Sequence, residues 1–316
     1  MQDTITDIAG IRVGHDTNEE VGTGCTVVLC DTPAVGGVDI TGGQPVTREI
    51  ALLYPMTFAE EVHAILLTGG SAFGLDAATG VMRYLAERNI GADTGVARVP
   101  LVPAAAIFDL PFGSAARIHP DAEAGYRACA QATTGSVAQG NVGVGTGATV
   151  GKMAGFASAM KGGLGSASVQ LSDGTIVGAL VVVNALGDVI DPQTQQVIAG
   201  ARNPAESNVL PSHPLSNTTL AVIATNASLS KEGINKVAQM ARNGMAQVIF
   251  PLNTMFDGDA IFALALGPGS QRLLDPLSAA VQINTLGAAA ATTLARAIIK
   301  AVHSATDLHG VPAARK

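Results

Sequence analysis

Glycine restricts what this chain can fold into more than any other feature. The 316 residues include 37 glycines, and nine of these fall between residues 139 and 166: Gly140, Gly143, Gly145, Gly147, Gly151, Gly155, Gly162, Gly163 and Gly165. Glycine lets backbones approach closely and adopt turns closed to other residues, at an entropic cost that a folded chain must recover by packing. Only 14% of residues are charged, 47% are hydrophobic, and tryptophan is absent. This composition excludes a disordered chain and fits a compact α/β protein whose layers meet through small side chains. The length suits one large or two ordinary domains. A net charge of −7 and 3% aromatic residues leave neither the basic footprint nor the stacking platforms of a nucleic-acid binder. So few charges also suggest a surface partly covered in a homo-oligomer.

The cysteines, Cys25, Cys30 and Cys129, are odd in number and form no framework. They read as reduced thiols packing as small hydrophobes. Residues 1–7 lack a basic segment followed by an apolar one, and no apolar stretch of about 20 residues is apparent, so the expected setting is cytoplasmic, without membrane contact.

Strand-like and helix-like segments alternate. Residues 26–29, 64–67, 175–183 and 220–224 are apolar or β-branched and read as strands. Leu75, Ala78, Val81, Met82 and Leu85 recur at helical spacing. A helix capped near Ser228 or Ser230 is expected over 231–247, an apolar stretch over 259–266, and a long helix from Pro276 to about Ser304. Between Asp191 and Ser216 the chain turns to Gln, Asn, Pro and Ser without apolar periodicity, a connection of unusual length for a compact domain.

That connection leads into Ser216-Asn217-Thr218-Thr219. Were the bond after Asn217 broken, Thr218 would carry a hydroxyl and a free α-amine. An α-amine has an unperturbed pKa near ~8 and can serve as general base for its own hydroxyl. The local alternative is a turn feeding an edge strand. Gly143 to Lys152 does not make a phosphate loop, because Thr146 stands where the first glycine belongs and Met153 follows the lysine. Its backbone N–H groups are instead candidates for holding an oxyanion, and Lys152 for orienting or stabilising charge. Asp257-Gly258-Asp259 offers two carboxylates to fix a nucleophile or a substrate amine, or a surface turn. Asn184, at the end of an apolar strand, is a candidate oxyanion donor or a turn former. The six histidines form no ligand-spaced pair on one helix face, so no metal is expected.

Several segments, in order, resemble the DmpA-type peptidase family of L-aminopeptidase/D-esterases, β-peptidyl aminopeptidases and nylon-oligomer hydrolases. They are Ile5 to His15, Gly42 to Glu49, Leu67 to Leu75, Ile107 to Leu110, Gly143 to Lys152, Ser216 to Thr219 and Phe256 to Ala263. The resemblance implies a four-layer αββα sandwich and one domain over 1–316, self-cleaved into chains 1–217 and 218–316 that stay together. It implies an amidohydrolase or aminopeptidase without cofactor, acting on small peptides or amides through an acyl-enzyme on Thr218. Lys152 then stands near the nucleophile, Asn184 helps hold the oxyanion, and Asp257 and Asp259 match the acidic pair of the nylon-oligomer branch. Phe108, Gly145 and Thr219 are the expected substrate contacts, although Phe108 lacks the hydroxyl of the tyrosine found there in the nylon-oligomer enzyme. The processed pairs are expected to assemble as tetramers or larger rings. The alternatives are an acyltransferase of the ornithine acetyltransferase type and an uncut, non-catalytic binding or assembly protein.

Overall fold

The apolar runs become strands and the periodic segments become helices, as the sequence expects. The computed structural model describes residues 1–202, 217–267 and 275–314. Its principal strands are β1 (Ile11–Asn18), β2 (Thr23–Ile40), β3 (Glu61–Thr68), β4 (Ala104–Ala106), β5 (Gly163–Gln170), β6 (Ile176–Asn184), β7 (Thr218–Thr225) and β8 (Ala260–Ala265). The principal helices are α1 (Ala77–Ala86), α2 (Ala122–Ala130), α3 (Lys231–Val248) and α4 (Pro276–Ser304). Hydrogen bonding orders the strands β5-β6-β7-β8-β2-β3-β4, with β1 also on β2 and Thr47–Arg48 beyond β4. The pairs β7/β8 and β3/β4 are parallel and the others antiparallel. The long strand β2 joins the halves, since residues 23–30 pair with β1 and residues 35–40 with β8.

The two-residue period of the strands divides the interior into three cores. Val181 and Val183 of β6, Ala221 and Ile223 of β7, and Ile261 and Ala263 of β8 pack with α3 and α4. Their alternates, Leu180, Val182, Leu220, Val222, Phe262 and Leu264, pack with Val28, Ile65 and Leu67 of β2 and β3. Val27, Leu29, Ala64 and Leu66 pack with Val81 and Leu85 of α1 and Ala128 of α2. The protein is therefore mixed α/β, with a large mixed sheet flanked by helices.

Some of the glycines serve this packing. A Cβ on Gly165 of β5 would lie 2.1 Å from the Ala297 carbonyl of α4, and one on Gly244 of α3 would lie 2.0 Å from that of Ala291. Ser230 caps α3 through Gly233 N–H (3.2 Å), and Asp275 caps α4 through Leu277 and Ser278. Helix α4 corrects one expectation. An 18-residue stretch of it with a mean hydropathy of 1.2 is long and apolar enough to cross a membrane by composition, yet 61% of that stretch is buried. Leu286, Ala290, Leu294, Ile298 and Ala301 place it in the first core, as a core helix. Alanine-rich segments hide this hydropathy from inspection. Of the long polar connection, Val197–Ala199 pairs with Asp188–Ile190, and residues 203–216 lie outside the described residues.

Candidate active site

Strand β6 ends at Asn184 where β7 begins at Thr218, and the antiparallel ladder pairs these two residues. Alternation puts both side chains on the face that carries Val182 and Leu220, between the halves of the sheet. Thr218 is 1% exposed and Asn184 0%, so the candidate nucleophile of the uncut chain is sealed from water.

The parallel register of β7 and β8, Leu220 opposite Ala260, continues backwards across the Asn217–Thr218 bond. Asn217 bridges Asp257, with Asn217 N–H donating to Phe256 O (2.7 Å) and Gly258 N–H to Asn217 O (2.6 Å). The Thr218 hydroxyl donates to the same Asn217 carbonyl oxygen. The hydroxyl thus already lies against the peptide group it would attack.

Lys152 arrives from the glycine loop. Gly151 has φ +71°, and a Cβ there would lie 2.2 Å from the Gly200 carbonyl carbon, so only glycine fits the bend that delivers the lysine. Lys152 Nζ donates to Asn184 Oδ1 (2.8 Å) and Asn184 O (3.0 Å). Thr149 N–H also donates to Asn184 Oδ1 (3.1 Å), and Asn184 Nδ2 donates to Phe108 O (3.2 Å). With the Thr149 hydroxyl at 3.4 Å, three donors on Oδ1 fix which way the amide points. Burial lowers the Lys152 ammonium to about 7, against the opposing charges of Asp257, Asp109 and Asp259. Near neutral pH it is therefore poised between amine and ammonium.

The carboxylate pair flanks Gly258. Asp259 shares the parity of Ile261, on the sheet face opposite Thr218, and accepts Thr219 N–H (2.6 Å) and Asn253 N–H (3.3 Å). Asp257 accepts the N–H (2.8 Å) and hydroxyl (2.6 Å) of Thr254. Both hold backbone around the nucleophile. Burial and then the charge of Asp257 raise the Asp259 carboxyl. Gly42 packs against this segment, where a Cβ would lie 2.3 Å from Asp257 O and 2.5 Å from Asp259 N.

The three expected substrate contacts, Gly145, Thr219 and Phe108, are placed as follows. Gly145 spends its N–H on Val142 O (2.9 Å) and packs on Gly140 and Leu164; from that loop it is Thr149 and Lys152 that reach Asn184. Thr219 turns its side chain to the face opposite Thr218, where its buried hydroxyl has no partner among the described residues. Phe108 contributes its carbonyl oxygen to Asn184, and its ring is half-buried.

Sequence reasoning missed two charged residues nearby. Asp109 is buried, accepts from Thr23 Oγ1 (2.6 Å) and Gly70 N–H (2.7 Å), and is raised by burial. Lys161 Nζ donates to Thr146 O (2.7 Å) and Ala148 O (2.8 Å) and lies 4.2 Å from the centre of the Phe112 ring. Burial lowers it to about 7, and Asp109 opposes that shift. These residues brace the segments that hold Asn184: Asp109 follows Phe108, and Lys161 pairs with Thr149. The signal available was a charged residue inside an apolar or glycine-rich run of a charge-poor chain. Among the described residues no cluster of three or more His, Cys, Asp or Glu could hold a metal ion.

The family model of peptidase family S58 matches residues 3–315. The chain belongs to peptidase family S58. It is thus a hydrolase of amide bonds. It is 44% identical over 344 residues to an uncharacterised aminopeptidase of Mycobacterium bovis, with 99% of this chain and 97% of the relative covered. It is 32% identical over 317 residues to a 6-aminohexanoate-oligomer endohydrolase of Paenarthrobacter ureafaciens, covering 93% of this chain and 84% of that protein. Among solved structures it resembles an L-aminopeptidase D-Ala-esterase/amidase from Ochrobactrum anthropi, described as a variant of the Ntn-hydrolase fold. That match has a TM-score of 0.73, 19% identity and coverage of 97% of this chain and 87% of the other. The S58 chain described here therefore has an Ntn-hydrolase-like fold.

Proposed function

We propose that this S58 peptidase cleaves itself between Asn217 and Thr218 and then works as an N-terminal-threonine aminopeptidase on small peptides or amides. The observation that carries the reading is the Thr218 hydroxyl, buried against the Asn217 carbonyl and facing Asn184 across the ladder. In self-cleavage, Oγ1 bonds to the Asn217 carbonyl carbon, the C–N bond to Thr218 breaks, and the hydroxyl proton ends on the new amine. Water then hydrolyses the ester, leaving chains 1–217 and 218–316. The uncut chain has no α-amine at Thr218, and Lys152, lowered to about 7, is the buried group whose neutral form suits a base there.

In turnover the freed amine takes the proton from its own hydroxyl as Oγ1 attacks the substrate carbonyl. One Asn184 Nδ2 hydrogen goes to Phe108 O, and the other is available to the oxyanion. The α-ammonium gives that proton to the departing substrate amine as its C–N bond breaks, and water, deprotonated by the α-amine, then hydrolyses the acyl ester. The three separate cores support the finer description of the fold as four layers, αββα. The Asp257/Asp259 pair and the 6-aminohexanoate-oligomer relative justify testing such oligomers, with aminopeptidase substrates as the main expectation. The low charge content, 14% of residues, supports assembly of the processed pairs into a homo-oligomer, with the cytoplasm as the expected setting.

Denaturing electrophoresis with mass spectrometry tests the reading. The 31.8 kDa chain should give pieces of about 22 and about 10 kDa, and Thr218→Ala should block both cleavage and turnover. A Thr218→Ala protein that still turns over amides at the wild-type rate would sink it.

A further inference from the structure

We infer that the backbone N–H of Gly258 is the oxyanion donor for self-cleavage, separate from the Asn184 side chain that serves substrate. The inference rests on the proposed cleavage at Asn217. In that step negative charge develops on Asn217 O as the Thr218 Oγ1–C bond forms and before the C–N bond breaks. Gly258 N–H already points at this atom from 2.6 Å.

The donor is held in place before the reaction. Asp257, on one side of Gly258, is tied through its carboxylate to Thr254 and through its carbonyl to Gln44 N–H (2.8 Å). Asp259, on the other side, is tied to Thr219 N–H. A fixed dipole of this kind needs no reorganisation when charge appears. Position 258 also has to be glycine. It shares the parity of Ala260 and so lies on the Thr218 face, where a Cβ would stand 2.9 Å from Thr218 Oγ1 and 2.6 Å from Gln44 O. A side chain would crowd the nucleophile at the moment of attack.

Geometry also separates the two oxyanions. A strand's carbonyls lie within the plane of the sheet, along the ladder, whereas its side chains stand perpendicular to it. The Asn217 carbonyl belongs to the strand line itself, and its oxygen is directed in-plane toward the segment that leads into β8. A substrate has no place in that line while the ladder is intact. It meets the Thr218 hydroxyl on the sheet face, the face that Asn184 shares.

The test replaces the Gly258 N–H by oxygen, using a glycolyl residue introduced in cell-free translation, and follows chain cleavage and amide turnover separately. Self-cleavage should slow by about 10²- to 10³-fold, the effect of removing one oxyanion donor. Turnover per cleaved molecule should stay within a few-fold of wild type. Cleavage at the wild-type rate overturns the inference, and equal slowing of cleavage and turnover overturns the separation of donors. A wild-type chain that never cuts at Asn217 removes the underlying reading, and the inference falls with it. Should the ester chain fail to fold, infrared spectroscopy of the Thr218→Ala chain with ¹³C at the Asn217 carbonyl decides. A band at the frequency of a weakly bonded strand carbonyl refutes the strong Gly258 contact, and a band shifted to lower frequency supports it.

Discussion

Replacing Lys152 by methionine should slow self-cleavage and make the protein more stable. Burial moves this lysine from 10.5 to about 7. At about 1.36 kcal/mol per unit, the folded chain at pH 7 gives up roughly 5 kcal/mol relative to an unfolded chain that keeps the charge. Methionine fills similar space without a charge. It forfeits the amine's two hydrogen bonds to Asn184, worth about 1 kcal/mol each. The net expectation is a gain of about 3 kcal/mol at pH 7. Its pH dependence has a definite sign. The folded value lies below the unfolded one, so between about 7 and 10.5 the unfolded chain binds more protons and the lysine protein gains stability as pH rises. The advantage of methionine should therefore shrink by up to about 1.4 kcal/mol per pH unit, or nearly 3 kcal/mol between pH 7.5 and 9.5. Urea unfolding of Thr218→Ala and Thr218→Ala/Lys152→Met measures this with both chains uncut. A pH-independent difference, or a methionine chain several kcal/mol weaker at pH 7, refutes the reasoning. With Thr218 intact, Lys152→Met should slow self-cleavage by about 10²-fold or more, read by electrophoresis.

Further expectations follow from the same contacts. Wild-type self-cleavage should accelerate as pH rises through about 7, where Lys152 becomes neutral; a time course flat between pH 5.5 and 9 contradicts this. Asp259→Ala should leave the protein about 2 kcal/mol less stable than Asp259→Asn, because both remove the buried charge and only asparagine keeps an oxygen for Thr219 N–H. Equal stabilities in thermal melts would show that this hydrogen bond is not what matters. Gly42→Ala drives a Cβ to 2.3 Å from Asp257 O, so it should destabilise by about 2 kcal/mol and slow cleavage. Wild-type stability and cleavage in that variant would show that the 256–259 segment is not held by this approach.

The elements were legible because their signals are local. The apolar, β-branched run of 220–224 and the helical spacing from Leu75 to Leu85 each need only neighbouring residues, and both correspond to elements in the structure. The placement of Asn184 opposite Thr218 depends on the register of two strands separated by the long polar connection, and family resemblance supplied what periodicity could not. The side of the sheet taken by Thr219 was legible, since period two sets it against Thr218 once Thr218 is fixed. Gly258 was not. Its role arises from a parallel register carried three residues past the last pair of the ladder, and a glycine between two aspartates reads equally well as a turn. Lys161 and Asp109 were hidden for a different reason. A lysine in a glycine-rich run is ordinarily a solvated side chain, and only the fold reveals that two carbonyls and the Phe112 ring enclose this one. The glycines of 139–166 were rightly read as permitting close approach. Where β5 runs, the approaching partner is α4; at Gly151 it is Gly200, and the bend there delivers Lys152.

In the proposed reaction one residue, Thr218, supplies both the scissile bond and the nucleophile. Acid quenching during turnover of a slowly released amide, followed by mass spectrometry of the denatured chains, tests it most directly. The expected result is a C-terminal piece beginning at Thr218, present as the free chain and as the same chain plus one acyl group on its first residue. An intact 31.8 kDa chain that turns over the amide, or an acyl group mapped to any other residue, contradicts it.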